Sequence, residues 1–149
     1  MARQVDVGGK PAVARHAVVV GEIALSPATR AAVHRQKVGK GDPLAAGELA
    51  GLLAMKRTPE LIPHCHSVPL TAAAVDLVVS RRGVRVRAEA ETVDRTGVEM
   101  EALVGATIAL LTVWDMVKYL EKDGRGLYPR TSLGPVRVVR KKKGGSRTP

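Results

Sequence analysis

Asp115 and Lys118 stand three residues apart in Trp114-Asp115-Met116-Val117-Lys118-Tyr119, directly after a run from Ala102 to Trp114 that carries no charge. On a helix the two share a face, and a helix that is apolar nearly all round is expected to be buried. A buried carboxylate costs on the order of several kcal/mol unless it is paired. Two chemistries fit the spacing. One is a plain i,i+3 ion pair. The other is a proton-transfer pair in a cleft, its pKa values tuned by burial and by the opposite charge. Glu101 precedes Asp115 on the same apolar stretch by about four helical turns, so both lie on roughly one face. Glu99 and Glu101 either complement a helix N-terminus or belong to the same site.

Lys56-Arg57-Thr58 closes an earlier helical segment. Basic residues there are ordinary partners of the helix dipole. The next loop, Leu61-Ile62-Pro63-His64-Cys65-His66, crowds two imidazoles and a thiol between prolines. No second cluster has ligand spacing, and structural zinc draws its four ligands from two clusters, so no metal is assigned. A phosphate or substrate contact by His66, with Cys65 buried, is the preferred reading. Neither a G-x-x-x-x-G-K-[ST] nor a G-x-G-x-x-G motif occurs, so a phosphorylated substrate has to be held by Lys, Arg and His side chains.

Several elements must position these residues. Ala17 to Leu25 is β-rich. Ser26-Pro27 and Asp42-Pro43 each place an N-cap before proline at the first helical position. These signals predict helices from Pro27 to about Val38 and from Pro43 to about Arg57. The prolines at 59, 63 and 69 predict an irregular loop over Thr58–Pro69. Thr71–Ser80 and the alternating Val84–Arg95, joined by Arg81-Arg82-Gly83, predict a hairpin. A long helix is expected from Gly97 or Val98 to about Lys122, then a connection over Asp123–Pro135 and a short strand over Val136–Arg140. This order predicts an α+β fold, a ferredoxin-like sandwich with helices packed on one face of an antiparallel sheet. The 149 residues are expected to form a single domain, with a flexible arm over about 1–14 and a mobile basic tail over about 141–149.

Composition bounds the partners. Hydrophobic residues make up 45% of the chain, enough for a packed core, yet Phe is absent and the only aromatics are Trp114, Tyr119 and Tyr128. Ala, Val and Leu must therefore fill the interior with close backbone packing, and an oligomer that buries further surface is expected. The net charge of +10 favours polyanionic partners. The single cysteine rules out an internal disulfide and suits a reducing compartment. No N-terminal apolar stretch reads as a signal, and the uncharged run is shorter than the roughly 20 residues a membrane span needs. The expectation is a cytoplasmic protein with no membrane partner.

Taken together, Lys56-Arg57-Thr58, Leu61-Ile62-Pro63-x-Cys65-His66, Arg95-Thr96-Gly97-Val98-Glu99-Met100-Glu101-Ala102-Leu103 and Trp114-Asp115-Met116-x-Lys118 resemble the MoaC family of molybdenum cofactor biosynthesis. Val5-Asp6-Val7, Lys40-Gly41-Asp42 and Gly134-Pro135-Val136-Arg137 match as well, so the resemblance runs from about Val5 to about Lys143. It implies a lyase that converts 3′,8-cyclo-7,8-dihydro-GTP to cyclic pyranopterin monophosphate and pyrophosphate. It implies a homohexamer, a trimer of dimers, with sites at the dimer interface. Asp115, Lys118 and Lys56 match the catalytic positions; His64, Cys65, His66, Glu99, Met100, Glu101 and Arg15 match substrate-binding ones. No cofactor is implied with certainty, and Mg²⁺ accompanying the triphosphate is left open.

The sequence departs from the family pattern at His64, where leucine is common, and at Ser67, where proline is common. The lysine that follows the tail glycines in many members is missing, so its contact is either lost or taken by Lys141, Lys142, Lys143 or Arg147. The connection Asp123–Leu133 also looks longer. Two other classes compete. A basic RNA-binding module fits the charge but lacks aromatic stacking residues on its strands. A regulatory ligand-binding domain fits an oligomer but leaves the carboxylate and lysine of the long helix without a purpose.

Overall fold

A computed structural model describes residues 1–144. Five antiparallel strands form one sheet: β1 (Val13–Ala24), β2 (Leu70–Val79), β3 (Gly83–Asp94), β4 (Ser132–Leu133) and β5 (Arg137–Lys143). The order is β2-β3-β1, with β4 and β5 both pairing the free side of β1. Helices α1 (Pro27–His34), α2 (Pro43–Lys56), α3 (Thr58–Leu61) and α4 (Glu99–Glu121) complete the chain. The connectivity and strand order are those of the α+β ferredoxin-like sandwich. α2 and α4 pack on one face only, because strand alternation sends Ala17, Val19 and Ile23 of β1 and Val84, Val86, Ala88 and Ala90 of β3 to that side.

Caps act where the sequence placed them. Ser26 Oγ accepts from the Thr29 amide, and Asp42 Oδ1 accepts from the amides of Leu44 and Ala45, each with proline following at the first helical position. Four boundaries differ from expectation, and β4 forms inside the expected Asp123–Pro135 connection by pairing with β1. α1 stops at His34, short of Val38, because Gln36 turns to a φ of 54° and leaves the helical region. Thr58–Leu61 forms one helical turn inside the expected loop; Pro59 lies in its first turn, where no amide donor is needed. β1 begins at Val13, inside the expected arm. β5 continues through Lys143, pairing Lys141 with Ala17, Lys142 with His16 and Lys143 with Arg15, so the three lysines are strand rather than tail. The rest of the expected tail beyond Gly144, Arg147 included, lies outside the described residues.

The aliphatic core packs closely, as its composition demands. α2 meets α4 through glycines: a Cβ on Gly51 would stand 2.8 Å from the Gly105 carbonyl oxygen, and one on Gly105 would stand 2.5 Å from Met55 Cγ. Backbone gives way poorly, so Gly51→Ala is expected to destabilise the fold by about 1–3 kcal/mol, read by denaturant unfolding. An unchanged midpoint would disprove the close crossing. α4 is long and apolar enough to cross a membrane by length and composition, yet half of that stretch is buried inside the fold. It is the central core helix, with Ala102, Ala106, Ala109, Leu110, Val113 and Val117 inside. At its end Glu121 is buried and accepts from the Ser26 amide and the Thr131 hydroxyl, tying the following connection to α1.

Candidate active site

The two ends of α4 carry two groups of side chains. At the C-terminal end Lys118 Nζ lies 2.7 Å from Asp115 Oδ1. Lys40, from the loop between α1 and α2, reaches across to donate to Asp115 Oδ2 at 3.1 Å and to the Asp115 carbonyl at 2.9 Å. The Gly39 amide donates to the Tyr119 hydroxyl at 2.7 Å, which pins this loop against the helix. Asp115 is thus an anion between two ammonium groups. Hydrogen bonds from Lys118 and Lys40 hold its carboxyl below the usual carboxylate range, and Asp115 in turn raises the Lys118 pKa.

Burial does not tune this pair. The Asp115 side chain is 58% exposed, because the last turns of α4 bury only Val113, Val117 and Glu121 while the Asp115–Lys118 face looks outward. Lys40 was not singled out by type or spacing; its only sign in the sequence was the Lys40-Gly41-Asp42 motif.

At the N-terminal end Glu101 is buried, 2% exposed, beside a cleft of about 420 Å³ lined by Lys56, Pro59, Glu60, Ser67 and Val68. Burial, with Glu99 nearby, raises the Glu101 carboxyl above its ordinary value. The Lys56 side chain has no hydrogen bond or ion pair among the described residues and lines the cleft. Cys65 is half-buried, and its thiol is pushed up by burial and by the charge of Glu101, which keeps it protonated. Glu99 is subject to the same burial, but hydrogen bonds from Lys141 and from its own amide outweigh it and leave its pKa lowered. Lys141 makes this ion pair from β5. It stands opposite Ala17, on the helix side of the sheet, whereas Lys142 stands opposite His16. Among the described candidates for the missing tail contact, Lys141 is therefore the one whose side chain forms an ion pair with a predicted site residue. Arg15 donates to the carbonyls of Asp94 and Arg95 near Glu99, and Met100 is partly exposed on the same turn.

The N-terminal arm crosses the His64-Cys65-His66 loop. His64 Nδ1 lies 2.7 Å from the Arg3 carbonyl, His66 Nε2 lies 2.6 Å from the Val5 carbonyl, and Gln4 donates to the Cys65 carbonyl at 2.8 Å. A carbonyl only accepts, so each imidazole carries its proton on the nitrogen named. Both histidines are thus held by backbone, and neither belongs to a metal-like group. The one such group among the described residues is His16, Glu89 and Glu91 on the helix-free face, where His16 Nε2 lies 2.5 Å from Glu89 Oε1 and Arg87 also binds Glu89.

The chain does not bring the two ends together. Glu101 and Asp115 share one continuous helix, so the rise places them roughly 21 Å apart.

The buried acid predicts a measurable pH effect. A carboxyl whose folded pKa is raised contributes fully below the unfolded value of about 4.3, and that contribution is lost as pH rises through the folded value. Glu101→Gln removes the loss. The variant is expected to melt above the parent at pH 7 and to match it near pH 4, read by thermal unfolding across pH. A variant less stable at pH 7 would overturn this reading of Glu101.

Comparison with known proteins agrees with this arrangement of motifs. The sequence model of the MoaC family matches residues 4–144. A probable cyclic pyranopterin monophosphate synthase of Archaeoglobus fulgidus is 50% identical over 143 residues, covering 96% of this chain and 92% of the relative. Similar proteins with the same description occur in Methanoregula boonei, 48% identical over 96% of this chain and 92% of the relative, and in Pyrococcus abyssi, 46% identical over 95% and 89%. With matches of this extent spanning every element that carries the candidate residues, the chain belongs to the MoaC family.

Proposed function

We propose that this enzyme is a cyclic pyranopterin monophosphate synthase of molybdenum cofactor biosynthesis. It converts (8S)-3′,8-cyclo-7,8-dihydroguanosine 5′-triphosphate to cyclic pyranopterin monophosphate and pyrophosphate. The observation that carries this reading is the division of labour along α4. One end offers cations around an ionised Asp115; the other offers a carboxyl held toward its protonated form beside a free lysine. Opening the purine-derived ring and closing it as a pterin requires a group that gives and takes protons, and Glu101 has the raised pKa for it. Cyclisation onto the α-phosphate expels pyrophosphate, and in this reading Lys40 and Lys118 supply the cations that meet the developing negative charge. Asp115 keeps the two ammonium groups in place.

A single substrate does not engage both ends of a helix roughly 21 Å apart within one chain. A dimer in which the two α4 helices run antiparallel sets the Asp115 end of one against the Glu101 end of the other. Leu49, Leu53, Leu111 and Leu120 lie exposed on α2 and α4 and supply apolar surface for such an interface. The hexamer, as a trimer of dimers, and a cytoplasmic location follow the same reading. RNA binding is disfavoured because, among the described residues, no strand carries an aromatic residue on which a base stacks.

The test is incubation with the cyclised dihydro-GTP while following pyrophosphate and pterin fluorescence. Stoichiometric release of pyrophosphate supports the reading; no release, with retained RNA binding, overturns it.

A further inference from the structure

The helix-free face of the sheet holds a second basic cleft that shares no residue with the candidate site. It has a volume of about 470 Å³, lies over the end of β1, and is bounded by Arg82 and Arg85 on one side and by Gly134, Pro135 and Arg137 on the other. A neighbouring cleft of about 990 Å³ shares Glu22, Arg82 and Arg85 and adds Arg30 and Arg81.

Register explains why the arginines face it. Val84 and Val86 point into the core, so Arg85 between them points away from the helices. Arg85 stands opposite Glu22 across β1 and β3, and Arg137 stands opposite Val20 across β1 and β5. Directly opposed residues project to one side, so both guanidinium groups rise beside β1 on the helix-free face. One strand separates them laterally and two residues separate them along it, which puts their backbones roughly 12 Å apart on the diagonal.

The charges are not spent internally. Among the described residues the Arg85 and Arg137 side chains make no hydrogen bond or ion pair. Glu22, the one acid lining the cleft, accepts from the Ser80 hydroxyl at 2.5 Å and lies 3.9 Å from Arg82 Nε, so its carboxylate is engaged toward the β2–β3 turn. In the neighbouring cleft Arg30 Nε is buried without a partner. Guanidinium forks match phosphate oxygens bidentately. Two of them set this far apart suit an anion with two linked charged centres; a single phosphate occupies one fork and leaves the other idle.

We propose that this cleft is a second anion site of the protein, which binds a diphosphate group through Arg85 and Arg137. The diphosphate belongs either to free pyrophosphate or to a nucleoside diphosphate, and the two share the chemistry that the arginines recognise. The site does not depend on the activity proposed above, because binding is read without substrate or turnover.

The experiment is calorimetric titration of the full chain with pyrophosphate, GDP and orthophosphate at low and at physiological ionic strength. Arg85→Gln/Arg137→Gln is compared with Lys40→Ala/Lys118→Ala. Pyrophosphate is expected to keep its affinity for one site per chain in the lysine variant, and adding Arg85→Gln/Arg137→Gln to that variant is expected to weaken the remaining site on the order of tenfold or more. Orthophosphate is expected to bind more weakly than pyrophosphate throughout. GDP binding that follows the same pattern assigns the nucleotide as the source; GDP failing where pyrophosphate binds assigns the free anion. Pyrophosphate binding in the lysine variant that the added arginine substitutions leave unchanged, or complete loss in the lysine variant itself, overturns the proposal.

Both arginines are exposed, so the variant is expected to fold. The same claim is also testable on the unaltered protein. Pyrophosphate is expected to protect Arg85 and Arg137 from phenylglyoxal, read by mass spectrometry, and no protection overturns the site.

Discussion

Lys118→Ala and Asp115→Asn are each expected to slow pyrophosphate release by at least ~100-fold while the melting temperature stays within a few degrees of the parent. Both effects come from the same geometry. Asp115 and Lys118 are exposed, and solvent screening leaves exposed ion pairs with little effect on stability. Their loss leaves the core untouched, since Val113 and Val117 on the opposite side of the helix stay packed. The chemistry, in contrast, loses either the cation that meets developing charge or the anion that holds two cations in place. Lys40→Ala should fall in the same class, because its ammonium shares the Asp115 carboxylate with Lys118. Steady-state pyrophosphate release with a parallel thermal melt separates the two effects. Near-normal turnover in Lys118→Ala would remove Lys118 from the chemistry, and a large fall in melting temperature would recast the pair as structural.

Mixing two inactive proteins should restore activity. Lys56→Ala disables the N-terminal end of α4 and Asp115→Ala the C-terminal end. If each site takes one end from each subunit, a mixed dimer has one intact site and one doubly altered site. Random reassortment of equal amounts then gives roughly a quarter of the parent activity. If one chain supplies both residues of a site, mixing restores nothing. Subunits must exchange for the result to count, so the mixture is unfolded and refolded together, with each variant refolded alone as the control. This experiment bears on assembly and leaves the identity of the reaction to the pyrophosphate assay.

Local signals were legible where they act locally. Ser26-Pro27 and Asp42-Pro43 begin helices because a side-chain acceptor and a fixed φ satisfy the first turn without help from the rest of the fold. Val84 to Arg95 alternates, and β3 buries its even residues from Val84 to Thr92 accordingly. The end of α1 was not legible, since Gln36 enters the left-handed region without a glycine to signal it. Lys141, Lys142 and Lys143 look like a solvated tail by composition. Their strand pairing with β1 is a non-local property that three consecutive charges conceal.

The candidate site divides along the same line. Family membership, the types of groups available and the i,i+3 proximity of Asp115 to Lys118 were all legible in the sequence, because covalent order and helical pitch suffice for these. It pointed to a buried Asp115, since an uncharged run precedes it, and the structure reversed that assignment. Burial depends on what packs against each face of a helix, and the sheet covers the Val113–Val117 side while the Asp115 side is open. Only the folded chain shows that Glu101 is the enclosed acid and that Lys40 and Lys141 arrive from distant segments as partners for Asp115 and Glu99. Each of these depends on close approach between residues far apart in the chain, which strand register and helix packing set and residue spacing does not.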